Sequence, residues 1–469
     1  MNSYKSLTFV LLGGLLFAGC KITRKYERPV LSASLTDSLY RAPATTDTSS
    51  LADMPWQQLF TDPKLQQLIG LGLANNLDLK VALERINEAQ ALLEQSRQAF
   101  MPSLNFSPNV TLSRTSRAAL NLPPNININL KTTTFQVGVT TNWEADIWGK
   151  LSSAKRASMA SLMQTEAARK ALQTQVVATI ANAYYGLLAL DQQLAVTQAT
   201  IEVRRKNVFT MQKLKESAIV TGAAVVQSEG NLYAAEVSVP DLKQGIRELE
   251  NALNVVLGRH PQPIERNTLE EQSANVDLKT GVPLQLLQKR PDVAAAELTY
   301  RAAFENVNVA RTYFYPSLAI TAGSGGFSAL ATNSIFTNSL FYSLAAGLTQ
   351  PILAKGANKA RLKTTEAQRE MALQNFYKSI LVAGQEVSDA LFAYEMGVEK
   401  EATRKKQIDA LEKAVNYTEQ LLRYSSATNY TDVLTSEQAL LAAQLAGISD
   451  KRQQLLAIVE LYRALGGGK

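Results

Sequence analysis

The sequence predicts a mainly α protein with a minor complement of transmembrane-type β structure, built as an internal two-fold repeat. Long antiparallel coiled-coil helices make up most of it, and four strands per chain make up the rest. Three observations predict this class. The stretch Arg97–Leu104, RQAFMPSL, returns 214 positions later at Arg311–Leu318 as RTYFYPSL, with Arg, Phe, Pro, Ser and Leu at matching places. A segment of helical period precedes each copy, and runs of period two follow each. A seven-residue apolar repeat then runs through a long segment of each half. Five matched positions with the same change of period on both sides mark a duplication.

Composition narrows the function. The chain has 469 residues, room for two or three ordinary domains or one elongated one. Its net charge of +7 comes from Lys and Arg interleaved with Asp and Glu, without the compact aromatic-basic patch that nucleic acid requires. There is one histidine, His260, and one cysteine, Cys20. A His/Cys metal site needs several ligands, and a histidine triad would have to use His260, which sits in the loop LGRHPQP beside two prolines. No glycine-rich phosphate loop follows a strand. An enzyme is therefore not expected, nor a metal, nor a cofactor other than covalent lipid.

The elements follow in order. Residues 1–19 form a signal peptide: Lys5 gives the positive start, Leu7–Phe17 a short apolar core, and Ala18-Gly19 the small-residue cleavage site. The core is too short to span a bilayer. The only cysteine directly follows it, which resembles a bacterial lipobox with Phe17 where Leu is usual. The resemblance implies cleavage before Cys20 and lipid on its thiol and new amino group, each buried methylene contributing about 0.8 kcal/mol to anchoring. Residues 20–62 are an extended arm rich in Pro, Ser and Thr. The first repeat covers 63–258, starting with Asp62 as N-cap and Pro63 at the first helical position. Leu65, Leu68, Ile69 and Leu73 form a helical stripe, Asn75-Asn76 interrupts it, and a second helix runs to about Ala99.

Pro102 and Pro316 are the natural helix-to-strand junctions, since proline donates no N–H and biases its predecessor toward extended geometry. Strands are expected at about 103–114, 132–143, 317–327 and 340–350. Leu104, Phe106, Val110 and Leu112 alternate with polar residues, as do Phe135, Val137, Val139 and Trp143; Leu318, Ile320 and Ala322 form a weaker run. Leu340, Tyr342, Leu344, Ala346 and Leu348 share one face of the last. Ten-residue alternation fits a tilted membrane strand. Four strands cannot close a barrel, so an oligomer must: a dimer gives about 8 strands and a trimer about 12, and the residues allow both. The connections at about 115–131 and 328–339 become outer loops.

Beyond the strands, Ile180, Leu187, Leu194, Ile201 and Val208 repeat every seven residues, as do Val387, Tyr394, Ile408, Val415 and Leu422, with Glu401 in the missing step. A helix over 151–216 would reach roughly 100 Å. Residues 213–236 match 421–444 as hairpin turns, with Leu214, Ser217, Val225 and Ser228-Glu229 set against Leu422, Ser425, Val433 and Ser436-Glu437. The returning helices end at Gly258 and Gly466, and Pro240 should kink the first. Residues 259–283 link to the second repeat, 284–469.

The ordered set Trp56, Phe60, Asp62-Pro63, Leu65, Leu68, Asn76, Asp78-Leu79, Ala82 and Arg85 resembles the start of TolC-like outer-membrane efflux channels. Tyr26-Glu27-Arg28-Pro29, Trp148-Gly149-Lys150 (with Gly356 opposite Gly149) and Arg290-Pro291-Asp292 resemble further signatures, in particular of the lipidated subfamily serving resistance-nodulation-division pumps. The resemblance implies a homotrimer with a 12-stranded β-barrel and an α-barrel tunnel, anchored in the outer membrane of a Gram-negative bacterium. It implies a periplasmic adaptor protein, an inner-membrane pump and outer-membrane lipid as partners, and small molecules such as drugs as cargo. It also implies a periplasmic gate at the second hairpin, where Asp432 matches an acidic position, Thr435 stands where a second Asp is frequent, and Tyr424 matches a preceding tyrosine. The segment is one residue shorter than the family pattern. A duct for protein secretion and a lipid-anchored coiled-coil scaffold are the alternative readings.

Overall fold

The computed structural model describes residues 22–30, 55–120, 123, 126, 128–273, 290–321, 325–330, 339–424 and 430–467. The signal peptide, Cys20, most of the arm, residues 274–283 of the link, and the hairpin turn at 425–429 lie outside the described residues. The elements are α1 (Trp56–Leu59), α2 (Pro63–Asn75), α3 (Leu77–Gln98), β1 (Ser103–Arg114), β2 (Lys131–Ala145), α4 (Lys150–Glu216), α5 (Gly222–Val256), α6 (Pro291–Thr312), β3 (Ser317–Thr321), β4 (Gly325–Ala329), β5 (Leu340–Tyr342), β6 (Ala345–Thr349), α7 (Ala357–Tyr424) and α8 (Tyr430–Ala464). They make two compact units. One comprises Met1–Pro29, Ile86–Gln164 and Ala296–Asn375; the other comprises Val30–Arg85, Thr165–Ala295 and Phe376–Lys469.

The duplication is visible in hydrogen bonds. At the end of α3, the amides of Phe100 and Met101 donate to the carbonyls of Arg97 and Gln98; at the end of α6, those of Phe314 and Tyr315 donate to Arg311 and Thr312. Each helix thus stops four residues before its proline, and Pro102 and Pro316 stand in the turn immediately before Ser103 and Ser317. The returning helices close alike. Gly258 (φ +66°) and Gly466 (φ +95°) are left-handed. The amides of Arg259 and Gly467 reach back to Asn254 and Tyr462, a Schellman cap in both copies. α5 runs unbroken as a helix through Pro240.

In the first unit, β2 is the spine of the sheet. β1 pairs with it along its length from Ser103↔Asn142 to Arg114↔Lys131. The other side of β2 pairs with β4 (Val137↔Phe327) and β3 (Trp143↔Ile320), and these in turn pair with β5 and β6. All pairings are antiparallel. The predicted strands 317–327 and 340–350 are each two shorter strands. The pairings Trp143↔Ile320 and Val139↔Gly325 set three intervening residues of β2 against four of the partner. This one-residue excess re-phases the second piece against β2. It moves the apolar positions from even (Leu318, Ile320) to odd (Phe327, Ala329), so both pieces keep one face.

In the second unit, the core packs α2, α4, α5 and α8 around fully buried Leu65, Ile69, Ile180, Tyr184, Leu187 and Leu253. The heptad residues Ile180, Leu187, Ile201, Val208 and Val387 are buried. Leu194, Tyr394, Ile408, Val415 and Leu422 are half-buried, and Glu401 is exposed. The described part of the link is packed: Ile264 and Leu269 enter the core, and Arg266 holds Asp191 through paired bonds of 2.5 and 2.9 Å and Glu250 at 2.6 Å. Asp62 caps α2 as expected, but it is also a buried hub. It accepts bonds from Tyr184 Oη (2.6 Å), Asn267 Nδ2 (3.0 Å) and Gln272 Nε2 (2.7 Å) as well as from the Lys64 and Leu65 amides. Among the described residues no helix is long and apolar enough to cross a membrane.

Candidate functional site

Two regions carry functional geometry, one in each unit. In the first, the register sorts the sheet into two faces. Leu104, Phe106, Pro108, Val110 and Leu112 of β1 stand opposite Thr141, Val139, Val137, Phe135 and Thr133 of β2. On the far side of β2, Phe327, Leu340 and Tyr342 continue that face beside its middle, and Ile320, Leu318 and Leu348 beside its C-terminal end. The opposite face carries Asn105, Ser107, Asn109, Thr111, Thr134, Gln136, Thr140, Asn142 and Ser328. Both faces of β1 are exposed along its length, so among the described residues nothing covers the apolar face there. A sheet with one bare apolar and one polar surface is stable where lipid meets the first and water the second.

Phe341 is the large apolar residue on the polar face, and it covers glycine. Its ring lies 3.6 Å from where a Cβ on Gly138 would be, and a Cβ on Gly326 would lie 2.1 Å from the Val137 carbonyl oxygen. β1 on one side and β5 and β6 on the other have no further strand among the described residues.

Below the sheet, the junctions are tied by aromatic and charged side chains. Trp148 donates from its ring N–H to the Pro316 carbonyl at 2.7 Å, and its ring lies 5.3 Å from that of Tyr315. Arg361 stacks over Tyr313 at 3.8 Å, with Lys150 at 5.1 Å. Gly149 and Gly356 are left-handed (φ +75° and +80°), which allows the sharp entry into α4 and α7. Asp146 then caps α4 at the Leu151 and Ser152 amides. Rings with polar edges and cations at the foot of a membrane-type sheet suit an interface between apolar and aqueous layers.

In the second unit, the two hairpin ends pack together. Met211 of α4, Val225 of α5 and Tyr430, Val433 and Leu434 of α8 form a small core. Tyr430 Oη donates to Ser228 Oγ at 2.7 Å, and burial holds the Tyr430 hydroxyl above its ordinary range. The first turn closes with Ala218 in a left-handed conformation (φ 57°). Asp432 and Thr435, three residues apart in the first turns of α8, are on its exposed side, with Thr435 Oγ1 donating to the Thr431 carbonyl at 2.8 Å. Tyr424 at the end of α7 is 85% exposed. The three expected gate residues thus face away from this core.

Sequence reasoning matched Glu229 with Glu437 but missed that the two differ in burial. Glu229 is half-buried and accepts from Gln212. Glu437 is buried, accepts from Asn207 Nδ2 at 2.6 Å through one oxygen, and leaves the other without a hydrogen bond. Burial raises its pKa and Glu419 adds to this, while the Asn207 bond and Arg204 oppose it.

A two-faced sheet with open edges, in a chain that also carries long helical hairpins, defines the class as a membrane-channel protein. The chain matches the family model for outer membrane efflux proteins over residues 68–259 and 282–467. It belongs to that family, and is an outer-membrane component of an efflux system. It is 28% identical over 462 residues to the probable outer membrane lipoprotein SilC of Salmonella typhimurium, covering 97% of this chain and 96% of the relative. It is 27% identical over 478 residues to the probable efflux pump outer membrane protein TtgC of Pseudomonas putida, covering 99% and 96%. The crystal structure of CusC superposes with a TM-score of 0.83 at 23% identity, covering 96% of this chain and all of that one.

Proposed function

We propose that three copies of this chain close their sheets edge to edge into one barrel of about 12 strands and act as the passive exit duct of a tripartite efflux pump. The observation that carries this is the two-faced sheet with unpaired edges. In lipid, an open edge costs several kcal/mol per unpaired backbone group, so β1 of one copy must meet β5 and β6 of the next. The apolar face meets lipid, the polar face lines the bore, and the long helices of the three copies line the periplasmic tunnel. An inner-membrane pump supplies the energy, and a periplasmic adaptor links it to the hairpin ends. Cargo is small molecules, which a polar bore passes without catalysis.

The exposed Asp432, Thr435 and Tyr424 are the gate. Copies of Asp432 brought together around a narrow axis repel anions and favour cations. Lipid on Cys20 anchors the arm. Thr23 lies against Gly149, 3.3 Å from the position of a Cβ there, so an anchor three residues upstream starts at the junction. Purified protein reconstituted in planar bilayers tests the reading. Discrete conductance steps from a species of three times the chain mass are expected. Protein that binds membranes without conducting is a scaffold and refutes the duct.

A further inference from the structure

The repeat supplies its own control for one side-chain cluster that the duct does not explain. Arg97 and Arg311 are duplicates. Arg97 is more than half exposed and pairs with Glu94 at 3.4 Å. Arg311 is half-buried and makes no hydrogen bond or ion pair from its guanidinium among the described residues. The charges of Arg24 on the N-terminal arm and of Arg369 and Glu366 on α7 act on it. At the 207-residue offset of Gly149 and Gly356, the residue matching Arg369 is Leu162, which is buried with Ile86, Ala89 and Leu93. The position beside the duplicated arginine is therefore apolar in the first copy and basic in the second.

The cluster is held in place by the docked arm. The Arg24 amide donates to Asn308 Oδ1 at 3.0 Å, and Asn308 Nδ2 donates back to the Arg24 carbonyl at 2.9 Å. Asn308 is fully buried, and its neighbour Glu305 is clamped by Arg156 at 2.8 and 2.9 Å. Tyr26 packs against Tyr300 and Phe304, and Arg28 pairs with Glu297 at 2.6 Å. Arg24 is thus fixed one helical turn from Arg311, and backbone bonds rather than an acid hold it there. Burial and the charge of Arg24 push the Arg311 guanidinium below its ordinary range; Glu366 opposes this in part and Arg369 adds to it. A partly buried guanidinium among like charges is relieved by an anion, and phosphate accepts the planar arginine fork in paired bonds.

We infer that Arg24, Arg311 and Arg369 form a phosphate site at the foot of the second repeat, occupied by the headgroup phosphate of an anionic membrane phospholipid. The inference rests on the duct reading, which puts the junctions at the membrane surface. Arg311 lies six residues before the first residue of β3. Thr23 sits at the Gly149 junction, and three residues reach at most about 10 Å from there to Cys20. Headgroups are therefore the phosphates present at high local concentration.

Native mass spectrometry of the full mature protein in mild detergent, with phosphatidylglycerol, phosphatidylcholine or inorganic phosphate added, tests it. At about 1 kcal/mol per basic side chain, Arg311→Gln with Arg369→Gln should weaken phosphatidylglycerol retention roughly thirtyfold. Arg97→Gln should leave retention unchanged, and phosphatidylcholine should be held less well by the unaltered chain. Equal retention of phosphatidylglycerol by all variants overturns the site. Displacement of the lipid by millimolar inorganic phosphate overturns the lipid as occupant. Loss of oligomer with unchanged lipid retention assigns the arginines to a carboxylate of a second copy and also overturns it. Planar-bilayer conductance of the same preparations separates the two readings: a conducting protein with equal retention sinks only the inference, and an unaltered chain that never conducts sinks the duct.

Discussion

Tyr184→Phe removes the hydroxyl that links Asp62 to the Asn267 amide in the second unit. Tyr184 is fully buried, and its hydroxyl donates to Asp62 Oδ2 at 2.6 Å while accepting the Asn267 amide at 3.1 Å. Burial and the Asp62 partner hold the Tyr184 proton on well above the ordinary phenol range, with the Asn267 amide opposing. The substitution keeps the ring and its packing. It loses a hydrogen bond to a carboxylate, about 1.5–3 kcal/mol, and leaves a buried amide unpaired, about 1–3 kcal/mol. The combined cost is at least about 2.5 kcal/mol. Asp62 keeps its other four donors and still caps α2, so the loss is local opening rather than failure to fold. Hydrogen–deuterium exchange of the full-length protein reads it directly. Amides of α2 in residues 63–75 should exchange about a hundredfold faster than in the unaltered chain, while α7 amides near residue 370 stay the same. Acceleration of α2 by less than about threefold would refute the claim that this hub holds the helix.

Three further outcomes are expected. Glu437→Gln should slow exchange in the first turns of α8 at neutral pH by several-fold. The folded state raises the Glu437 pKa, so its contribution to stability is fully present below the ordinary carboxylate range and is lost as pH rises through the raised value; the difference between variant and unaltered chain should vanish in acid. Gly326→Ala should abolish heat-modifiable folded protein in the outer membrane, since its Cβ would meet the Val137 oxygen at 2.1 Å and break β2–β4 pairing. Gly347→Ala, with nothing within 4 Å, should not. Asp432→Ala should raise single-channel conductance and weaken cation preference; unchanged conductance removes Asp432 from the gate.

Local chemistry was legible and long-range chemistry was not. The junction turns, the glycine caps at Gly258 and Gly466, the heptad seam of α4 and the faces of β1 and β2 each depend on residues a few positions apart, and periodicity exposes them. The register shift between β3 and β4 is not legible because it shows only in pairing, where one extra residue leaves the composition of the run unchanged. The Asp62 hub was read only as a cap, since its other donors come from residues up to 210 positions away. The arm was read as extended and unperiodic, yet Tyr26 and Asn308 seat its described part against α6. At the hairpin, alignment of the repeats sets Glu437 beside Glu229 as equals, and only packing separates the buried acid from the half-buried one. Asp432, Thr435 and Tyr424 are exposed near the ends of α7 and α8, and no contact within the described chain assigns them a role.

The central claim is that the sheet separates lipid from water, and accessibility of alternate positions tests it most directly. Single cysteines at Ser107, Asn109 and Gln136 on one face, and at Phe106, Val110 and Val137 on the other, are placed in the full chain. Cys20 is the only native cysteine, so the unaltered chain gives the background. With the protein in lipid nanodiscs, a charged, water-soluble thiol reagent should modify the first three and leave the second three unreacted. Equal modification of both sets would mean that water reaches both faces, and the sheet would not be the wall of a duct.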